Sequence, residues 1–267
     1  MARIGLVAGE GKLPIVFARV AKAKGDTVIA FGLKGITSPD LERHVDKFHW
    51  VPWGSLQKAA LLLVTERIKK IIMLGKVKKD ILFNSTEELD ANAKKIFDKI
   101  KDKKDYAVLN GIKDFLKKFG VEVIDSTTYL KELIPSRGTL TRREPSKEEW
   151  DDINYGKDVA KAMSGFDIGQ TIVVKEKTVI AVEAIEGTDE TIARSDKLVK
   201  GPFVVVKVAR PDQDMRFDVP LVGLETIKTL ADSGAKVLAL EADKTLLMDR
   251  EDVIKLADQN DISIVII

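Results

Sequence analysis

Cysteine is absent from the 267 residues, which removes disulfides, thiolate nucleophiles, zinc ribbons and iron–sulfur ligation together. Histidine is nearly absent, with His44 and His49 the only two. Zinc sites built on several imidazoles, HExxH helices and Ser-His triads therefore have little material. Any metal should be a hard ion held mainly by carboxylates, magnesium or else manganese. Charge of one sign is not in excess either, since 44 Lys and Arg stand against 42 Asp and Glu. A net charge of +2 is far from the basic surplus of a general nucleic-acid binder, so no nucleic acid is expected as a partner. No stretch approaches the roughly 18 to 20 continuous apolar residues that span a bilayer. The apolar opening, Met1 to Gly9, is too short for a signal peptide and reads as a first strand. What is present is 45% hydrophobic and 32% charged residues, the balance of a globular protein, and the lack of cysteine fits a reducing, cytoplasmic setting. At roughly 150 residues per domain the length suggests two domains or one large one.

Hydrophobic periodicity orders the chain as alternating strands and helices. Ile4 to Val7, a glycine turn at Gly9 to Pro14, a helix through Ala23 and Thr27 to Phe31 form a βαβ opening. Ser55 starts a second helix as its N-cap, and Ile71 to Leu74 follows as a strand that stops at Gly75-Lys76. Helices are expected near 86–100 and 106–119, then a strand at Val121 to Ile124. Such alternation means a parallel sheet covered by helices. Residues 135–146 carry two prolines, a glycine and polar side chains and read as a linker between domains at 1–134 and 147–267. The second half opens with a helix near 147–163 and a hairpin of Thr171 to Val174 with Val179 to Val182. A helix near 188–200, a strand at Phe203 to Val208 and further alternation to Ile267 make it mixed α/β. Between residues 66 and 118, 15 Lys and Arg face 9 Asp and Glu, either a solvated helical face or an attraction for phosphorylated ligands or an anionic membrane.

Five segments could carry chemistry. Gly9-Glu10-Gly11-Lys12-Leu13-Pro14 sits where a strand turns into a helix, and glycine there lets backbone N–H groups approach an anion. Pro14 occupies the third glycine position of a dinucleotide fingerprint, and no acid ends the second strand, so a nicotinamide cofactor is disfavoured. Gly75-Lys76 ends another strand, where Lys76 is either a phosphate contact or one more surface lysine. Asp167-Ile168-Gly169-Gln170 is a turn that adds an amide. Glu183 to Glu190 holds four carboxylates in eight residues, with Thr188 read as an N-cap. Acids at the end of a buried strand need a metal or a cation to neutralise them. In Lys207 to Pro220, the alternation Arg216-Phe217-Asp218-Val219 suggests an ordered strand or turn with Asp218 on one face. Carboxylates for a divalent ion and cations for phosphate suit phosphoryl transfer or phosphoanhydride hydrolysis.

Taken in order, GLVAGEGKLP (5–14), DIGQ (167–170), AVEAIEGTDETIAR (181–194), KVARPDQDMRFDVPLVG (207–223) and ADQNDISIV (257–265) resemble one family along essentially the whole chain. It is the LpxI-type family, the UDP-2,3-diacylglucosamine pyrophosphatases of lipid A biosynthesis. The resemblance implies a Rossmann-like N-terminal domain and a C-terminal domain that hydrolyses the substrate held between them. It implies magnesium-dependent cleavage to UMP and 2,3-diacylglucosamine 1-phosphate (lipid X). Asp218 matches the position assigned to catalysis, with Asp189 second, and both join Glu186 as implied metal ligands. Gly9, Gly11, Leu13, Pro14, Gly75 and Lys76 are implied substrate contacts in the first half. Asp167, Gly169, Gln170, Thr188 and Arg216 are their counterparts further on. A diacylated substrate adds a requirement for an apolar cleft beside a polar site, and for peripheral contact with the cytoplasmic face of the inner membrane. A homodimer stays open. The competing reading is a non-catalytic protein that binds or senses UDP-sugars or nucleotide-linked lipids.

Overall fold

The structure, a computed structural model, describes residues 1–77, 89–99, 105–217 and 219–267, and every count below is of these residues. The chain divides into two units, one of Met1–Lys131 with Asp214–Asp218, the other of Glu132–Gln213 with Val219–Ile267. In the first, β1 (Arg3–Ala8) is apolar on both faces, as a strand inside a helix-covered parallel sheet must be. Gly5 lets the strand pass under its neighbours, because a Cβ there would lie 2.9 Å from the Ile68 and Ile71 methyl groups. Helix α1 (Leu13–Ala23) has Pro14 in its first turn, where a missing N–H costs nothing, and buries Leu13, Phe17, Ala18 and Ala21. There follow β2 (Thr27–Leu33), β3 (Lys47–Val51), α2 (Leu56–Thr65), β4 (Lys70–Leu74), α3 (Ala91–Lys99), α4 (Asp105–Lys117) and β5 (Glu122–Val123).

These strands form one parallel sheet in the order β3-β2-β1-β4-β5. The chain winds outward in both directions from β1, so the order switches between β1 and β4, and the loops after those two strands meet at the sheet's carboxyl edge. Strand β3 escaped sequence reading because its KFHWV carries a lysine and a histidine, both of which are held by a buried acid. Lys47 and His49 both reach Glu66, His49 at 2.8 Å, and Arg3 joins them at 3.0 Å. The Lys47 hydrogen bond, helped by His49 and opposed by burial, holds the Glu66 carboxyl below its usual range. Ser55 does cap α2 by position, yet its side chain makes no capping bond; Asp90 accepts from the Gln57 N–H at 2.8 Å instead. The expected helices at 86–100 and 106–119 appear as α3 and α4, and residues 86–88 and 100 lie outside the described residues.

The second unit holds β6 (Gly138–Thr139), α5 (Lys147–Gly165), β7 (Thr171–Lys175), β8 (Thr178–Val182), α6 (Thr188–Asp196), β9 (Val204–Lys207) and β10 (Leu221–Val222). It ends with α7 (Leu224–Asp232), β11 (Val237–Leu240), β12 (Leu246–Leu247), α8 (Arg250–Gln259) and β13 (Ser263–Ile266). Its six-stranded sheet runs β6-β13-β11-β9-β7-β8, with β13, β11 and β9 parallel and the other three neighbouring pairs antiparallel. Period-two alternation sends Val173, Val205, Leu238, Leu240 and Ile264 to one face, against Ile192, Ile227, Leu230 and Val253 of α6, α7 and α8. The other face carries Ile172, Val174, Val204, Val206 and Val265 against Ile153 and Ala160 of α5. A capping box of Ser146 and Glu149 starts α5, and Gly156 lets it settle on the sheet, since a Cβ would lie 2.8 Å from Val206.

The stretch 135–146, expected as a linker, is built into this unit. Strand β6 pairs with β13, and the Thr141 hydroxyl accepts the Ile264 N–H at 2.9 Å. Two residues are too few for alternation to reveal such a strand. Of the strand or turn expected around Arg216 the structure has the turn, which runs up to Phe217, and among the described residues regular pairing resumes at β10.

Candidate functional site

The first unit brings together the glycine segments at the switch in strand order. Gly9 N–H donates to Leu74 C=O at 2.8 Å, and Glu10 and Lys76 exchange backbone bonds at 2.8 and 2.9 Å. A Cβ on Gly9 would lie 2.7 Å from the Lys76 carbonyl, and one on Gly75 would lie 2.7 Å from the Gly9 carbonyl carbon. Gly75 also has φ +94°, a conformation that L side chains resist. The two glycines are thus required by the close approach of two loops, whatever else they contact. Gly11 is in left-handed space with φ +105°, Lys76 is exposed, and Leu13 and Pro14 are turned into the core.

Beside these loops, and within the same unit, lies a cavity of about 290 Å³. Gly9, Gly75 and Lys76 border it, and the rest of its described wall is largely apolar, including Phe31, Leu63, Met73, Ile112 and Phe217. Arg216 grips Asp214 through paired bonds, Nη2 to Oδ2 at 2.5 Å and Nε to Oδ1 at 2.8 Å. That guanidinium holds the Asp214 carboxyl below its usual range despite burial. Phe217 next to it is buried, and the Arg216 guanidinium lies 5.6 Å from the centroid of its ring, so the two side chains do not face apart as alternation suggested. Asp218 lies outside the described residues.

In the second unit the candidate residues gather at one edge of the sheet. Gln170 precedes β7 and Thr171 opens it, Glu183 follows β8, Lys207 ends β9 and Glu241 follows β11; the antiparallel turn of β7 puts its start beside the others' ends. Lys207 is 7% exposed. Its Nζ donates to the Thr188 hydroxyl at 2.7 Å, and that hydroxyl donates to Glu183 Oε1 at 2.9 Å. The Gln170 N–H reaches Glu183 Oε2 at 3.2 Å. Burial by itself would raise the Glu183 carboxyl, but the Lys207 charge and hydrogen bonds from Thr171, Thr188 and Gln170 outweigh it and leave it ionised below its usual range. Gly169 has no alternative here, because a Cβ would lie 2.1 Å from the Glu183 carbonyl oxygen.

Thr188 was expected as the N-cap of α6, but the cap is Gly187, at φ 90° and without a side chain. Thr188 is instead the first helical residue, and its hydroxyl is committed to Lys207 and Glu183. Asp189 follows on an exposed first turn and accepts the Thr226 hydroxyl at 2.9 Å on Oδ1. The acids after β8 are neutralised by cations: Glu183 by Lys207, and Glu186 by Arg194 at 3.0 Å. Thr191 and the Ala184 N–H also bond Glu186, so a metal there would have to displace a guanidinium. Asp167, at φ 60°, pairs with Arg210 at 2.5 Å. Glu241 accepts from Lys161 at 2.6 Å and from the Ala209 N–H at 2.7 Å.

Among the described residues no three acidic or histidine side chains could hold a metal ion together. That does not describe a preformed cage. Magnesium usually keeps several waters and takes one or two carboxylates plus substrate phosphates, and the exposed carboxylate of Asp189 is a ligand of that kind. Sequence reasoning singled out Gln170 and Thr188 but missed Lys207 and Glu183 as their partners. The available signal was a lysine inside the apolar run FVVVKVA.

Fold and site together define a two-unit α/β protein, each unit carrying polar groups on loops at one edge of its own sheet. The chain belongs to the LpxI family: residues 3–133 match the LpxI N-terminal domain and residues 136–265 the LpxI C-terminal domain. It is 32% identical over 269 aligned positions, 97% of this chain and 95% of the relative, to the UDP-2,3-diacylglucosamine pyrophosphatase LpxI of Caulobacter vibrioides. Two solved structures are distant likenesses. The biotin carboxylase domain of Hydrogenobacter thermophilus 2-oxoglutarate carboxylase is 10% identical with a TM-score of 0.29, covering 73% of this chain and 40% of that one. The N5-carboxyaminoimidazole synthetase of Staphylococcus aureus is 18% identical with a TM-score of 0.25, covering 66% and 38%. The chain spans about two fifths of the length of these structures, and at such scores they carry no argument. Among the described residues no helix is long and apolar enough to cross a membrane.

Proposed function

We propose that this chain hydrolyses the pyrophosphate bond of UDP-2,3-diacylglucosamine, releasing UMP and 2,3-diacylglucosamine 1-phosphate, in lipid A biosynthesis. The observation that carries the reading is the full-length relationship to the Caulobacter enzyme. The Lys207–Thr188–Glu183 network beneath Asp189 supports it, as does the apolar cavity that an acylated substrate requires. The strand order 3-2-1-4-5 supports treating the first unit as Rossmann-like, with its glycine loops as a phosphate-side contact.

In this reading Asp218 activates water or binds metal, and Asp189 shares that work. Lys207 and Glu183 fix Thr188, and Gln170 is held through its backbone to Glu183. The substrate contacts proposed in the first unit are the Gly9, Gly11, Gly75 and Lys76 segments; Asp167, Gly169, Gln170, Thr188 and Arg216 follow from the later motifs. Leu13 and Pro14 serve by shaping the helix start rather than by contact. Magnesium, held by Asp189 and Asp218 with the diphosphate, would neutralise charge on the departing phosphate. We assign the enzyme to the cytoplasmic face of the inner membrane as a peripheral protein, on the strength of its acylated substrate and the basic excess at 66–118. Vesicle binding that ignores ionic strength would count against that docking. Dimerisation is part of the proposal and is read by sedimentation.

The test is mass analysis of products from UDP-2,3-diacylglucosamine and magnesium, with and without EDTA, beside an Asp218→Ala variant. The expected result is both products from the parent protein, none after chelation and almost none from the variant. Intact substrate after long incubation with the parent protein would replace hydrolysis by binding alone.

A further inference from the structure

Trp53 sits in the turn after β3, closed by the Ser55 N–H on the Pro52 carbonyl at 3.2 Å, and it lines the cavity of the first unit. Its indole Nε1 is buried and has no hydrogen-bond partner among the described residues. A buried indole N–H ordinarily finds an acceptor, because leaving it unmatched forfeits the bond it made to water. Leu33, Val51, Leu63, Met73 and Phe97 on this wall carry no acceptor, and the Ser55 hydroxyl that shares it does not accept from the indole. A trapped water is a poor answer too, since it needs two to four polar partners of its own.

We propose that a ligand supplies the missing acceptor: the carbonyl oxygen of an ester- or amide-linked acyl chain, whose alkyl part fills the cavity. Trp53 is then a specificity-determining residue that separates an acyl chain from a plain alkyl chain. At about 290 Å³ the cavity falls just below the roughly 300–1,000 Å³ range of small-molecule pockets, a size suited to one chain and too small for a nucleotide with it. The polar backbone of Gly9, Gly75 and Lys76 on its border gives the head group somewhere to emerge. This inference rests on the reading that the substrate is acylated, but it is tested without turnover.

The experiment is calorimetric titration of the full chain, below micellar concentrations, with N-decanoylglucosamine and with decyl glucoside, which lacks the carbonyl. Trp53→Phe keeps an aromatic ring and removes the donor; Ala59→Phe fills the cavity from α2. The parent protein should prefer the decanoyl probe by roughly three- to tenfold, the worth of one hydrogen bond. Trp53→Phe should abolish that preference while still binding both probes, and Ala59→Phe should bind neither. A preference that survives Trp53→Phe overturns the proposal, and so does unchanged binding by Ala59→Phe. Hydrolysis of UDP-2,3-diacylglucosamine by the parent protein is followed in parallel. Turnover alongside a surviving preference removes only the Trp53 assignment, whereas carbonyl selection without turnover removes only the hydrolase reading.

Discussion

Replacing Lys207 by methionine keeps the length of the side chain and removes its charge from a site where 7% of the residue is exposed. Glu183 is then left as a buried carboxylate without its cation. Breaking one partner of a buried pair costs about 3–5 kcal/mol. The lower end applies here, because the attraction passes through the Thr188 hydroxyl and because Thr188 and the Gln170 N–H still bond the carboxylate. About 3 kcal/mol is therefore the expected loss near pH 8. The pH dependence fixes the cause. In the parent protein Glu183 lies below its ordinary value of 4.5, so its contribution is present above that pH and is lost as the pH falls through the depressed value. In the variant, burial dominates and the carboxyl is raised, so the native state holds a proton that the unfolded chain releases. Stability then falls as pH rises, by up to about 1.4 kcal/mol per unit, and the deficit shrinks toward pH 5. Urea unfolding at both pH values, with hydrogen exchange at the β9 amides, reads this out. Adding Glu183→Gln should recover much of the loss. A Lys207→Met protein as stable as its parent near pH 8, or a deficit that Glu183→Gln leaves untouched, would refute the reasoning.

Other substitutions probe neighbouring steps. Gly169→Ala should lower stability by on the order of 3 kcal/mol, because its Cβ meets the Glu183 carbonyl at 2.1 Å; an unshifted melting temperature would show that the turn relaxes freely. Gly75→Ala should separate the Gly9 and Gly75 loops, and loss of amide protection at Glu10 and Lys76 is the measurement. Asp189→Asn should cut kcat roughly a hundredfold or more if the side chain serves general acid–base chemistry, with little change in melting temperature. In the first unit, Glu66 is held below its ordinary value of 4.5 chiefly by the Lys47 hydrogen bond, so its contribution is present above that pH and disappears as acid protonates it. Glu66→Gln should flatten that acid limb of the stability curve, and an identical limb in both proteins would assign it to other carboxylates.

Most element types were legible because local patterns are strong. The run RIGLVA, the apolar face of α1 and the capping box at Ser146 each needs only its own neighbours in sequence. Strand β3 was not legible, since Lys47 and His49 look like solvent-facing residues until Glu66, 17 residues beyond His49, is seen to receive them. Strand β6 is too short for periodicity and exists because β13 offers an edge. Around Arg216 the alternation left strand and turn open, and the structure has a turn in which Asp214 accepts the guanidinium.

By itself the sequence determined the α/β class, the family, the scarcity of imidazole and thiol ligands, and the short motifs in which site residues lie. All of these depend on composition or on spacing within a few residues. Only the tertiary structure decided that Thr188 bonds Lys207 and Glu183 instead of capping its helix, that Glu186 is neutralised by Arg194, and that two glycines mark a loop crossing. Those outcomes turn on which groups meet across the edge of a sheet, and strand order, not spacing along the chain, sets that.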